Sequence, residues 1–194
     1  MNIKKIAKQM VAKGKGILAA DESTGTMTKR LQSVNVESTS ENRLNFRNIL
    51  FSSPKISDYV SGVILFDETI RQNVNGKSIS EILNERNILP GIKVDKGAKK
   101  LALSRDETIT EGLDGLRERL KEYYELGARF AKWRAVYKIS EKDSLPSKES
   151  IKANSHALGR YSALVQEANM VPIVEPELLM DGKHNINVCN DVTS

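Results

Sequence analysis

Charged residues set inside short apolar runs are the part of this sequence that could do chemistry. Lys132 and Arg134 alternate within Phe130 to Val136, Lys93 and Asp95 close the run that begins at Ile92, and Glu175 and Glu177 follow Val171-Pro172-Ile173-Val174. Side chains two residues apart in a strand project from one face, so each pair points one way. Charge on a sheet face that is not open to water carries a desolvation cost unless it is paired. Cation pairs beside carboxylate pairs therefore predict a polar pocket. In it lysines would clamp a phosphorylated or polyhydroxy ligand, or act with the carboxylates as acid–base groups. For any single residue a buried ion network that only braces the sheet competes with this reading; for all the runs together, function is favoured.

Other chemistries lack their residues. His156 and His184 stand 28 positions apart and Cys189 is the single cysteine, so no zinc-ligand spacing exists and no metal is expected. Gly14 and Gly16 precede the first apolar run instead of following it, which is the wrong order for a dinucleotide loop. A Walker sequence and a G-x-S-x-G elbow are both absent. Trp133, between Lys132 and Arg134, points to the opposite face and belongs to the core.

Composition narrows the class. With 194 residues, 39% hydrophobic and 28% charged, the chain suits one ordinary globular domain spanning 1–194. No apolar run approaches the roughly 20 residues of a membrane span. The lysine-rich N-terminus has amphipathic spacing and no apolar core of a secretory signal. One cysteine fits a reducing, cytoplasmic setting. The net charge of +5 comes from scattered residues, with Lys96, Lys99 and Lys100 the one tight cluster. Aromatics do not interleave with them as a stacking platform requires, so nucleic acid is not the expected partner.

The elements that must position the charges follow from periodicity. Ile3, Ile6, Ala7, Met10 and Val11 have helical spacing, and Ile17-Leu18-Ala19-Ala20 is a strand-like run ending at Asp21. A polar helix is expected from about Thr28. Ser38 and Glu41 have capping-box spacing ahead of a helix carrying Leu44, Ile49 and Leu50. Val63-Ile64-Leu65-Phe66 ends at Asp67, Ile79 to Ile88 reads as a short helix, and Leu113, Leu116, Leu120 and Tyr124 mark another. Ile151, Leu158, Tyr161, Val165 and Ala168 form the stripe of a third. Five apolar runs alternating with helices predict βα units on a parallel sheet. Charge at or near the end of every run favours a (β/α)8 barrel, which gathers such residues on one rim, over an open sheet that uses one switch point. Five strands, not eight, predict a fragment of about the first five βα units, with bare first and fifth edges whose inner apolar faces are exposed.

Long ordered segments resemble a known family. Lys15-Gly16-Ile17-Leu18-Ala19-Ala20-Asp21-Glu22-Ser23-Thr24-Gly25, Gly62-Val63-Ile64-Leu65-Phe66-Asp67-Glu68-Thr69 and Gly91-Ile92-Lys93-Val94-Asp95-Lys96-Gly97 are similar to class I fructose-bisphosphate aldolases. So are Phe130-Ala131-Lys132-Trp133-Arg134 and Val171-Pro172-Ile173-Val174-Glu175-Pro176-Glu177. The resemblance implies a TIM barrel that reversibly cleaves fructose 1,6-bisphosphate to dihydroxyacetone phosphate and glyceraldehyde 3-phosphate in glycolysis. It implies Schiff-base chemistry without a metal or cofactor, a cytoplasmic setting and a homo-oligomer, a tetramer. By this match Asp21 handles the proton on the hydroxyl beside the breaking bond, Lys132 assists the Schiff-base steps and Glu175 serves dehydration as general acid and base. Lys93, Arg134 and Glu177 set charge and position, while Ser23, Thr26, Lys29 and Arg30 approach a substrate phosphate. Thr26 stands where many members carry serine. The family's covalent lysine matches no position of this chain, so the 194 residues are expected to be inactive alone. The alternative is a non-catalytic truncated or pseudoenzyme module that binds anionic sugar phosphates.

Overall fold

The computed structural model describes residues 2–194. Five strands, Gly16–Ala20, Val60–Leu65, Leu89–Lys93, Phe130–Tyr137 and Val171–Leu178, form one sheet in which spatial order equals chain order and every neighbouring pair is parallel. A doubly wound sheet reverses direction at a switch point. This one never does, and it curls into a half-barrel with helices on its outer side.

The apolar residues of each strand divide between two layers. Val63, Leu65, Ile92, Val94, Trp133 and Ala135 pack outward against helices Ser40–Phe51, Ile79–Glu85, Leu116–Glu125 and Lys148–Glu167. Trp133 is fully buried, its ring 5.5 Å from that of Tyr161, so it is a core residue as its alternation predicts. Ile64, Leu89 and Phe130 point inward and meet Ile6 and Met10 of helix Ile3–Met10, which closes the floor of the half-barrel. Phe130 fills that floor so fully that a Cβ at Gly91 would lie 2.2 Å from its ring. Above the floor, toward the strand C-termini, the inner face turns polar.

Of the two open edges, one is as expected and one is not. On the first strand the inward Ile17 and Ala19 are exposed, as a bare edge requires. On the fifth, inward Val171 and Ile173 pack against the floor cluster because helix Ile3–Met10 reaches across to them. The exposed apolar residue there is Val174, on the outer face.

Three local expectations are corrected. The helix expected from Thr28 begins at Thr24, because Ser23 accepts a hydrogen bond from the Thr26 amide and caps it. Thr39, not Ser38, caps helix Ser40–Phe51; Ser38 instead accepts from Thr28 and Arg43. Of the expected apolar stripe only Leu44 packs against the core; Arg43, Arg47 and Phe51 are buried, while Ile49 and Leu50 are exposed. Two short antiparallel ribbons, Asn73–Val74 with Lys77–Ser78 and Ala98–Lys100 with Thr108–Thr110, sit in the loops. Strands of two or three residues are too short to show a period.

Two buried polar groups tie elements together, Tyr161 the fourth and fifth strands and Glu107 the second ribbon and the start of helix Lys148–Glu167. The Tyr161 hydroxyl lies 2.7 Å from the Ala131 carbonyl and 3.1 Å from the Ile173 carbonyl, bridging both strands beside Lys132. Burial pushes its phenol well up, so it remains a donor. Glu107, buried at the second ribbon, accepts from the Ser147 amide and from the hydroxyls of Ser147 and Ser104. Burial alone would raise its carboxyl, but these donors outweigh it and hold the group below its ordinary value. Tyr161→Phe removes the bridge and should lower the unfolding free energy by about 1 kcal/mol in urea titrations. An unchanged midpoint would show that the bridge contributes nothing. For Glu107, a depressed folded value means stabilisation present at neutral pH and lost as pH falls through the carboxyl range. The stability gap between the protein and its Glu107→Gln variant should therefore shrink from pH 7 to pH 3. A gap independent of pH would refute this.

Candidate active site

The C-terminal ends of the strands bring charges together that are distant in sequence. Lys132, in the fourth strand, holds its Nζ 2.8 Å from Asp21 Oδ2 at the end of the first strand and 3.6 Å from Glu175 Oε2 on the fifth. Asp21 and Lys132 are both buried. Lys93 Nζ pairs with Asp95 Oδ1 at 2.7 Å and donates to the Asp95 carbonyl, while the Gly97 amide donates to the same carboxylate oxygen. Arg134 reaches Glu177 at 3.2 Å. The alternation read from the sequence is what makes each of these contacts possible, since strand neighbours two apart share a face.

These groups line a cleft of about 870 Å³. Asp21, Ser23, Thr26, Arg30, Lys93, Lys132 and Arg134 are on its wall, and Glu175 and Glu177 join through their ion pairs. Lys29 does not line it and stands exposed. On helix Thr24–Gln32 steps of three and four residues align Ser23, Thr26 and Arg30 on one face, whereas Lys29 turns to solvent. The Ser23 hydroxyl lies 3.1 Å from that of Thr26, next to the free amides of the helix start. Hydroxyls, a helix N-terminus and a guanidinium make a favourable setting for an anion.

Several wall residues were not singled out from the sequence. Glu22 pairs with Arg30. On the far side Arg71 pairs with Asp67 and Glu122, which raise its pKa. Tyr123 donates to Asp67 at 2.8 Å; burial first, then the carboxylate, push its phenol up. Arg119 grips the carbonyls of Val94 and Gly112 and so fixes the loop carrying Asp95. Behind the wall Arg43 makes a two-point contact with Glu68. Arg43 and Arg47, four residues apart on one helix face with Phe51, were the available signal. Cations and carboxylates are interleaved around the cleft, and Arg30 beside the Ser23 and Thr26 hydroxyls is the part of the wall suited to an anion. Among the described residues no group of three or more His, Cys, Asp and Glu side chains could hold a metal ion.

Chemically, an ammonium between two carboxylates at one rim can pass protons along a short path, and the flanking cations can neutralise phosphate. Comparison with known proteins gives the family. The family model for fructose-bisphosphate aldolase class-I matches residues 2–194. A probable fructose-bisphosphate aldolase class 1 of Xanthomonas axonopodis pv. citri is 58% identical over 188 residues, covering 96% of this chain and 56% of the relative. Fructose-bisphosphate aldolase 4, cytosolic, of Arabidopsis thaliana is 54% identical over 181 residues, covering 93% and 46%. The aldolase of Plasmodium falciparum, solved with TRAP and a small molecule inhibitor, superposes with a TM-score of 0.95 at 47% identity, covering 98% of this chain and 55% of that one. The chain spans about half the length of the curated relatives it matches. It belongs to the class I fructose-bisphosphate aldolase family.

Proposed function

We propose that this chain supplies the acid–base and phosphate-facing half of a class I fructose-bisphosphate aldolase. The observation that carries the reading is the contact of Lys132 with both Asp21 and Glu175 across three different strands. In a Schiff-base aldolase the ketose carbonyl becomes an electron sink once joined to a lysine, so the neighbouring carbon–carbon bond breaks without a free carbanion. Asp21 takes the proton of the hydroxyl at that bond. Lys132 moves protons during carbinolamine formation and collapse, and Glu175 serves as acid and base for dehydration. Lys93, Arg134 and Glu177 hold these groups in charge and position, and Ser23, Thr26 and Arg30 receive a phosphate. Lys29, exposed beside Arg30, adds only longer-range attraction.

None of the cleft lysines takes the covalent role. Lys132 and Lys93 are held in ion pairs with carboxylates, and Lys96 is a further residue of the cleft wall. By the family resemblance, the covalent lysine is one that matches no lysine of these 194 residues. The assembled protein works in glycolysis in the cytoplasm and as a homo-oligomer, a tetramer. The names of plant relatives support the compartment, and among the described residues no helix is long and apolar enough to cross a membrane.

Two measurements test the assignment. Fructose 1,6-bisphosphate added to the purified chain in phosphate-free buffer should bind saturably, and Arg30→Ala or Thr26→Ala should weaken binding by about 1.5–3 kcal/mol, the scale of a hydrogen bond to a charged group. Binding indifferent to both substitutions would move the ligand elsewhere. Borohydride treatment of the same chain with dihydroxyacetone phosphate should leave every lysine unmodified, and no cleavage of fructose 1,6-bisphosphate should be detected. An adduct on Lys132, or turnover, overturns the division of roles.

A further inference from the structure

Glu22 sits between two arginines and satisfies neither fully. Its Oε1 pairs with Arg30, which is half exposed on the cleft wall. Its Oε2 is buried, without a hydrogen-bond partner, and 3.8 Å from Nη2 of Arg47. Arg47 is fully buried, donates through Nη2 to the Glu22 carbonyl at 2.6 Å, and leaves both Nε and Nη1 unpartnered. Its guanidinium lies 5.9 Å from the centre of the Phe66 ring. The nearest approach of the two groups, 3.8 Å from Nη2, is beyond hydrogen-bond distance, so this buried pair is an ion pair left open. Orphaned polar groups of this kind are costly and rare in folded proteins, and the Glu22–Arg47 pair carries three of them.

We infer that Glu22 is an exchangeable placeholder: it occupies Arg30 while the cleft is empty, and passes to Arg47 when a substrate phosphate takes Arg30. The inference rests on the proposed phosphate position at Ser23, Thr26 and Arg30. A movement of about 1 Å would bring Oε2 from 3.8 Å to the usual distance of a charge-assisted hydrogen bond. Arg47 is held at the Glu22 carbonyl throughout, so only the carboxylate needs to turn. The exchange keeps Arg30 neutralised in both states, and it stops the displaced carboxylate from repelling the incoming anion. Burial lowers the pKa of Arg47, against the opposing pull of Glu22 and Glu68; a nearer carboxylate would offset that cost. Arg47 is thus a positioning residue. It touches no substrate and acts through Glu22.

Calorimetric titration of inorganic phosphate into the chain, at fixed ionic strength, tests the exchange with E22Q, R47M, the double variant and R30M. Loss of phosphate binding in R30M places the anion. E22Q, which frees Arg30, should bind phosphate roughly two- to fivefold more tightly, the scale of a released surface ion pair. R47M, which removes the receiving site, should bind more weakly by a similar factor, and this loss should vanish in the E22Q background. A merely structural Arg47 would weaken binding equally in both backgrounds, and that result overturns the inference. If R47M does not fold, E22Q decides alone: unchanged or weaker phosphate binding overturns the exchange. Binding that needs Arg30 but ignores Glu22 sinks the exchange and leaves the aldolase reading intact. Absence of any Arg30-dependent binding removes the exchange together with the phosphate position, while the roles of Lys132 and Asp21 stand on their own test.

Discussion

The contact between Lys132 and Asp21 depends on the curvature of the sheet. These residues belong to the fourth and first strands, three spacings apart in the sheet order. In a flat sheet that separation would be about 14 Å, too far for a lysine and an aspartate to meet at 2.8 Å. Curling brings them together, and closing the floor with helix Ile3–Met10 holds the curl. Ile6 and Met10 join residues of the second to fifth strands in one apolar cluster below the charges. The half-barrel thus has an apolar lower storey that sets its shape and a charged upper storey that uses it.

That division explains why so much was legible from the sequence. Strand alternation alone assigned Lys132 and Arg134 to one face and Trp133 to the other, and the structure has them there. The order of apolar runs gave the strand order, because a barrel adds each strand beside the last. Periodicity could not supply contacts between distant elements. Nothing in the spacing of Asp21 and Glu175 says that both reach Lys132. The two loop ribbons were invisible for a different reason: their pairing is set by turns and by hydrogen bonds such as Thr110 to the Arg134 carbonyl, not by an apolar face.

Side-chain polarity also outweighed local propensity at the cap of the helix after the first strand. Ser23 is at once the last residue of the charged segment and the N-cap, so one hydroxyl ends the strand's turn and starts the helix. The placement leaves the helix amides pointing at the cleft beside Asp21. Building the phosphate-facing wall from a capping residue means that local folding and ligand contact use the same geometry.

Helix Ser40–Phe51 shows where the hydrophobic pattern misleads. Its apolar residues Ile49 and Leu50 face outward, and its arginines face in. Turning the helix to cover Ile49 and Leu50 would expose Arg43 and Arg47, but it would also pull Phe51 and Leu44 out of the core they pack against. What also holds the observed orientation is the set of acceptors on the cleft side: the Glu68 carboxylate, the Ser38 carbonyl and the Glu22 carbonyl. These groups sit behind the charged rim and would lack donors if the arginines turned away. Leaving buried acceptors unpaired costs about 1–3 kcal/mol each, comparable to burying one large aliphatic side chain. The acceptors and the buried Phe51 together fix the helix rotation, and the exposure of Ile49 and Leu50 is its consequence.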